Sequence, residues 1–203
     1  MRVIAGEFRS RKLMSMPGQD IRPTPDRMRE TLFNILTTMI AGSVFIDAYA
    51  GTGSVGIEAL SRGARHVVFI EKDKRAVELI RANLAALKVD GRARVIHGLA
   101  SHYAGNLEAD IVFLDPPYPR EREYDASMES LEARPPALVI AQHAVRFKLK
   151  EAYGPLELTR IVKQGDNALS FYAVPKPLLT PELTDENQSR KLQQTGPNRT
   201  PIY

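Results

Sequence analysis

The apolar run at residues 44–49, Val44-Phe45-Ile46-Asp47-Ala48-Tyr49, passes directly into Ala50-Gly51-Thr52-Gly53-Ser54-Val55-Gly56 and then into a helical pattern carrying Ile57 and Leu60. A buried strand, a glycine turn and a helix in that order make the first unit of an open α/β sheet. The first two glycines let the backbone turn sharply and approach a ligand; the third lets the helix pack closely. The remaining pattern alternates. Strands are expected at 66–71, 93–97, 109–115 and 137–142, and helices at 55–62, 74–87, 101–106 and 123–132. Alternation of this kind gives a parallel sheet covered on both faces. Two further strands, 156–162 and 168–174, are joined by Lys163-Gln164-Gly165-Asp166-Asn167 and read as a hairpin. The expected fold is α/β and Rossmann-like, a mostly parallel seven-stranded sheet ending in an antiparallel hairpin.

Ligands of such sheets bind at the carboxyl ends of the strands. Asp47, Glu71, the turn at 97–100 and Asp115 all fall there. Glu71 lies about 20 residues beyond Gly51, where a carboxylate meets ribose hydroxyls, which suits NAD and S-adenosylmethionine equally. Asp47 separates the two. A carboxylate just before the glycine turn would repel a pyrophosphate, whereas it can receive hydrogen bonds, through water or backbone, from the ammonium end of S-adenosylmethionine. Asp47 can also simply cap loop N–H groups. The expected cofactor-binding residues are Asp47, Tyr49, Gly51, Thr52, Gly53, Glu71, Lys72, Leu99 and Ala100.

Asp115-Pro116-Pro117-Tyr118 follows the apolar run at 109–114. The prolines fix φ near −65° and lack N–H groups, so the turn is rigid and presents acceptors. One carboxylate, main-chain carbonyls and an aromatic ring suit an exocyclic amino group on a flat ring: N–H bonds go to Asp115 and a proline carbonyl, and the ring stacks on Tyr118. The expected catalytic set is Asp115, Pro116, Pro117 and Tyr118, although the same four residues can also serve as a plain turn.

Composition limits the other possibilities. With 203 residues the chain can form one domain plus appendages, and no apolar run approaches the roughly 18 residues that span a bilayer. The first residues show no signal-peptide pattern, so a cytoplasmic protein without membrane attachment is expected. Absence of cysteine removes thiolate metal sites and cysteine nucleophiles, and His66, His97, His102 and His143 lack metal spacing. No metal is expected. A net charge of +4 permits a polyanion partner. The basic segment 1–29, with a possible short hairpin, reads as an arm; 30–174 is the main domain; and 175–203, rich in Pro, Thr, Gln and Asn, is expected to be a disordered tail.

Three blocks together resemble the RsmD family of small-subunit (16S) ribosomal RNA guanine-N2 methyltransferases: residues 22–34, Arg22-Pro23-Thr24-Pro25-Asp26-Arg27-Met28-Arg29-Glu30-Thr31-Leu32-Phe33-Asn34; residues 47–64; and Asp115-Pro116-Pro117-Tyr118. The last expected strand, with Ala168-Leu169-Ser170-Phe171-Tyr172, is similar as well. Leu99, where the family often carries an acidic residue at the adenine, and Gln142, where it often carries Glu, are departures. The resemblance implies a Rossmann-like S-adenosylmethionine-dependent methyltransferase fold, S-adenosylmethionine as donor, guanine N2 as acceptor, and ribosomal RNA within the small ribosomal subunit as partner of a monomeric enzyme. Arg2, Arg9, Arg11, Lys12, Arg22, Thr24, Arg27 and Arg29 are the expected RNA-binding residues, with cofactor contact or a salt bridge to Glu30 open for those at 22–29. A methyltransferase of DNA or another amino-bearing substrate (N6 of adenine, N4 of cytosine) and a non-catalytic nucleic-acid-binding protein are the alternatives.

Overall fold

Apolar strands separated by amphipathic helices build one eight-stranded sheet. The computed structural model describes residues 1–15, 26–117 and 121–175. Along the chain come α1 (Asp26–Ile35), β1 (Val44–Asp47), α2 (Ser54–Ser61), β2 (His66–Glu71), α3 (Lys74–Leu87), β3 (Ala93–His97), α4 (Ala100–Tyr103), β4 (Ile111–Leu114), α5 (Glu121–Ser130), β5 (Leu138–Ala144), β6 (Ala152–Tyr153), β7 (Leu156–Gln164) and β8 (Asn167–Ala173). The sheet order is β3-β2-β1-β4-β5-β8-β7-β6. The first five strands are parallel, and β8 enters antiparallel between β5 and β7. The seven expected strands are present. The two-residue β6, too short to show a period in sequence, pairs with the start of β7 and makes the eighth.

Each helix buries its apolar stripe. Met28, Leu32 and Phe33 of α1, with Leu36 just after it, join Phe45, Leu60, Phe113, Ile140 and Phe171 on one side of the sheet. On the other side Tyr124 and Met128 of α5 pack with Ile46, Ile70, Val112 and Tyr172. Asp73 starts α3 by accepting from the Arg75 N–H at 2.8 Å, and Lys88 ends it in the left-handed region at φ 59°.

Residues 1–15 are part of the same packed body. Val3, Phe8 and Leu13 are buried in the α1 side of the core, and Arg2 bridges to Lys12 as the antiparallel hairpin anticipates. Glu58 of α2, 1% exposed, accepts the Ile4 N–H at 2.8 Å and the Ala5 N–H at 3.0 Å. Asn83 of α3 accepts the Met14 N–H at 2.8 Å and donates to its carbonyl at 3.2 Å. The expected tail at 175–203 lies outside the described residues, apart from Pro175.

Candidate active site at the carboxyl edge of the sheet

The glycine turn is held from two sides. Gly51 and Gly53 have φ of 53° and 77°, values that residues with a Cβ rarely adopt. A Cβ on Gly56 would collide with the Phe69 ring, so α2 can lie close to β2 only with glycine there. Asp47, 1% exposed at the end of β1, accepts the Gly56 N–H at 2.8 Å. Burial pushes its carboxyl up to about 7; the Gly56 N–H lowers it in part, and neighbouring Asp115 and Glu71 raise it further. Glu71, at the end of β2, accepts the Gly51 N–H at 2.7 Å and the Asp73 N–H at 2.8 Å. Thr52 is buried within the turn, and Leu99 is exposed immediately before the buried Ala100 that opens α4.

Tyr49 and Lys72 reach across to α5. The Tyr49 hydroxyl is 2.7 Å from Ser127 Oγ and donates to the Glu123 carbonyl at 3.3 Å, and burial pushes the phenol up to about 12. The Lys72 ammonium pairs with Glu123 at 3.6 Å, while its carbonyl accepts from His97 Nε2 at 3.0 Å. The polar groups of both side chains are thus given to the helix that follows the acceptor turn.

Asp115 is half-buried just past β4, between Leu114 and the buried Pro116; Pro117 is exposed. Gln142, 4% exposed near the end of β5, donates from Nε2 to Asp115 Oδ2 at 3.1 Å. The opposite amide orientation would set oxygen against carboxylate. Tyr118 lies outside the described residues, as do Arg22 and Thr24. Sequence reasoning missed the supporting roles of Gln142, Ser127 and Glu123. Gln142 did leave a signal, as the polar interruption of the otherwise apolar Leu138–Ala141 stretch of β5.

Of the expected RNA-binding residues, those at the tip of the N-terminal hairpin do not lie on this edge. Arg29 is a correction: it is 0% exposed and cannot meet RNA in the folded protein. Its guanidinium pairs with Asp26 at 3.0 Å and with Glu58 at 3.8 Å, in place of Glu30, and donates to the Arg2 carbonyl at 2.8 Å. Arg2, Arg9, Arg11, Lys12 and Arg27 are exposed. Helices that follow parallel strands run back to the amino edge of the sheet. The Glu7 N–H bonds to the carbonyl of Ser61, the last residue of α2, and Arg11 reaches the carbonyl of Ala86 near the end of α3. The hairpin tip carrying Arg9 and Arg11 therefore lies at the edge opposite Asp115.

Asp47, Glu71 and Asp115 are brought together at a glycine turn whose side-chain partners are carboxylates. That donor set fits S-adenosylmethionine, with a cationic ammonium and sulfonium and ribose hydroxyls, and disfavours a pyrophosphate. Among the described residues no cluster of side chains suited to a metal ion occurs, and no helix is long and apolar enough to cross a membrane.

The comparisons with known proteins agree. The family model described as "Conserved hypothetical protein 95" matches residues 1–173. YlbH of Bacillus subtilis is 33% identical over 181 residues, 85% of this chain and 98% of that protein. Ribosomal RNA small subunit methyltransferase D of Escherichia coli is 42% identical over 122 residues, 59% of this chain and 61% of that protein, so this alignment spans under two thirds of the relative. The solved structure described as "Putative methyltransferase yhhF from Escherichia coli" superposes with a TM-score of 0.75 at 32% identity, covering 87% of this chain and 98% of that one. Matched by the family model over residues 1–173 and by these relatives along most of its length, the chain belongs to the RsmD family of S-adenosylmethionine-dependent methyltransferases.

Proposed function

We propose that the protein methylates the exocyclic N2 amino group of a guanine in 16S ribosomal RNA of the small ribosomal subunit. One observation carries the reading: Asp115 is held by Gln142 at the same carboxyl edge of the sheet as the glycine turn and Glu71. A carboxylate beside proline-turn carbonyls accepts N–H bonds, which is what an amino group offers. The name of the Escherichia coli relative gives small-subunit ribosomal RNA as the substrate of that protein.

S-adenosylmethionine, when bound, supplies an electrophilic methyl on sulfur. Asp47, Tyr49, Gly51, Thr52, Gly53, Glu71, Lys72, Leu99 and Ala100 would hold it, with Glu71 the acceptor for its ribose hydroxyls. The guanine amino lone pair is delocalised into the ring and is a poor nucleophile. By accepting one N–H, with a Pro116 or Pro117 carbonyl accepting the other, Asp115 favours a pyramidal, electron-rich nitrogen. As the N–C bond forms the S–CH3 bond would break, leaving S-adenosylhomocysteine; the carboxylate would stabilise the positive charge developing on nitrogen, and the N–H proton would pass to Asp115 or to water. Gln142, as donor to Oδ2, holds the carboxylate in orientation. Tyr118 would offset part of the unstacking of the target base by about 1 to 3 kcal/mol. A monomeric enzyme acting in the cytoplasm, where its ribosomal substrate would be met, completes the reading.

The test is methyl transfer from labelled S-adenosylmethionine to small subunits lacking the modification, to free ribosomal RNA and to DNA, followed by identification of the modified nucleoside. N2-methylguanosine from the ribosomal substrate is the expected product. Label on DNA alone, or on another base, would overturn the assignment.

A further inference from the structure

The acidic centre of the site creates a need that the N-terminal hairpin does not meet. Asp47, Glu71 and Asp115 repel a polyanion, and a base drawn to Asp115 brings its own phosphates with it. Arg9 and Arg11 lie at the opposite edge of the sheet. Cations on the acceptor side are therefore required, and the segment after β5 provides them.

Val145 stands three residues past Gln142, about 10 Å at roughly 3.3 Å per residue. Its N–H is held by the Asp166 carbonyl at 2.9 Å, in the turn between β7 and β8. Phe147 packs on Tyr124 with ring centroids 5.3 Å apart, and Phe147 and Leu149 lie against the α5 side of the core. With the apolar residues turned inward, the alternate residues Arg146 and Lys148 are exposed on a fixed backbone. Lys163 comes to the same rim from β7. Its neighbours Val162 and Gln164 face α1, the former packed against that core and the latter bonded to Thr31 at 3.3 Å, so Lys163 projects on the α5 side. Among the described residues Arg146, Lys148 and Lys163 form no ion pair. Lys150, next in the alternation, differs: it is held by Asp125 at 3.3 Å and Glu129 at 3.5 Å.

We propose that Arg146, Lys148 and Lys163 form a cationic rim that binds the phosphates of the RNA strand carrying the target base. The proposal rests on an RNA acceptor, as given above. The rim supplies affinity and position without reading sequence, because phosphate contacts carry no direct base information.

The test compares the parent enzyme with R146A/K148A/K163A, exposed substitutions expected to leave the fold intact, in methyl transfer to small subunits and free 16S RNA at about 50 to 300 mM salt. Binding of S-adenosylhomocysteine should be unchanged and the modified nucleoside the same. KM for RNA should rise by about tenfold or more with kcat little altered, and the salt dependence of binding should flatten by roughly 0.7 to 0.9 log units per lost contact. The charge-conserving R146K/K148R/K163R should restore most of the affinity, and R9A/R11A/K12A should have the smaller effect. If the triple alanine variant keeps the parent KM and salt slope while the parent is active on RNA, the rim is an ordinary solvated surface. A parent enzyme inert towards every RNA overturns the proposed function, and the rim with it.

Discussion

Asp115 and Asp47 are both carboxylates at strand ends, and their surroundings give them different work. Asp115 is half-buried and receives the Gln142 amide; in the proposed reaction it acts on the reacting nitrogen. Asp115→Asn should leave S-adenosylhomocysteine binding unchanged in calorimetry while lowering kcat by on the order of 10² or more. Gln142→Leu, which removes that amide and leaves the carboxylate in place, should lower kcat less. Full activity of the Asp115 variant would rule out the amino-group mechanism. Asp47 titrates in a useful range. Unfolded, an aspartate loses its proton near 3.9; folded, Asp47 keeps it to about 7. The folded state therefore holds the extra proton between about pH 4 and 7, and stability is lost as pH rises through that window, by on the order of 4 kcal/mol at full ionisation. A cationic ligand acts in the opposite sense by favouring the ionised form. Affinity for S-adenosylmethionine should rise with pH up to about 7 and then level off, with proton release seen by calorimetry in buffers of different ionisation heat; Asp47→Asn should flatten the profile. A flat profile in the parent enzyme would make Asp47 a cap for Gly56 and nothing more.

The elements joining donor and acceptor sides were legible in sequence to different degrees. The glycine turn and the Asp115 turn could be read because each is contiguous and sits at a strand end, where periodicity changes. The bounds of β2, α3 and β3 agree with expectation because their apolar patterns are long and their ends carry turn or cap residues. The tie between the turn after β1 and α5 could not be read, since Tyr49 and Ser127 are 78 residues apart and each alone is an ordinary polar position. That tie has a measurable consequence. Tyr49→Phe removes the hydroxyl that meets Ser127 and Glu123 but keeps the ring beside the glycine turn. We expect a stability loss of about 1 kcal/mol, an unchanged dissociation constant for S-adenosylhomocysteine, and methyl transfer slowed several-fold, because α5 follows directly on the acceptor turn. Ser127→Ala should reproduce the transfer defect, with the double variant no worse than either alone. A weakened cofactor affinity in Tyr49→Phe would place the hydroxyl at the cofactor instead.

Over the whole molecule, the charges near the amino terminus divide between surface and interior, and sequence alone could not sort them. Arg29 lies in a basic stretch and reads as a surface cation, yet it is buried with partners 27 to 29 positions away in Arg2 and Glu58. Glu58 is the centre of this arrangement. It caps Ile4 and Ala5, pairs with Arg62 at 2.8 Å and with Arg29 at 3.8 Å, and so fastens residues 1–15 to α1 and α2. Arg62 in turn lies 5.2 Å from the centre of the Phe33 ring. Removing one partner of a buried charge set leaves the others uncompensated, at a cost of about 3 to 5 kcal/mol. Glu58→Ala should therefore lower Tm by roughly 6 to 20 °C for a chain of this size and expose the Ile4 and Ala5 amides to hydrogen exchange. Glu58→Gln, which retains an acceptor for one of those amides, should cost less. Arg9→Ala and Arg11→Ala, on the exposed hairpin tip, should each stay within about 0.5 kcal/mol of the parent. The contrast separates a clasp from a surface arm: equal small effects at all three positions would mean that residues 1–15 are held by Val3, Phe8 and Leu13 alone, with the buried ion pairs contributing nothing net.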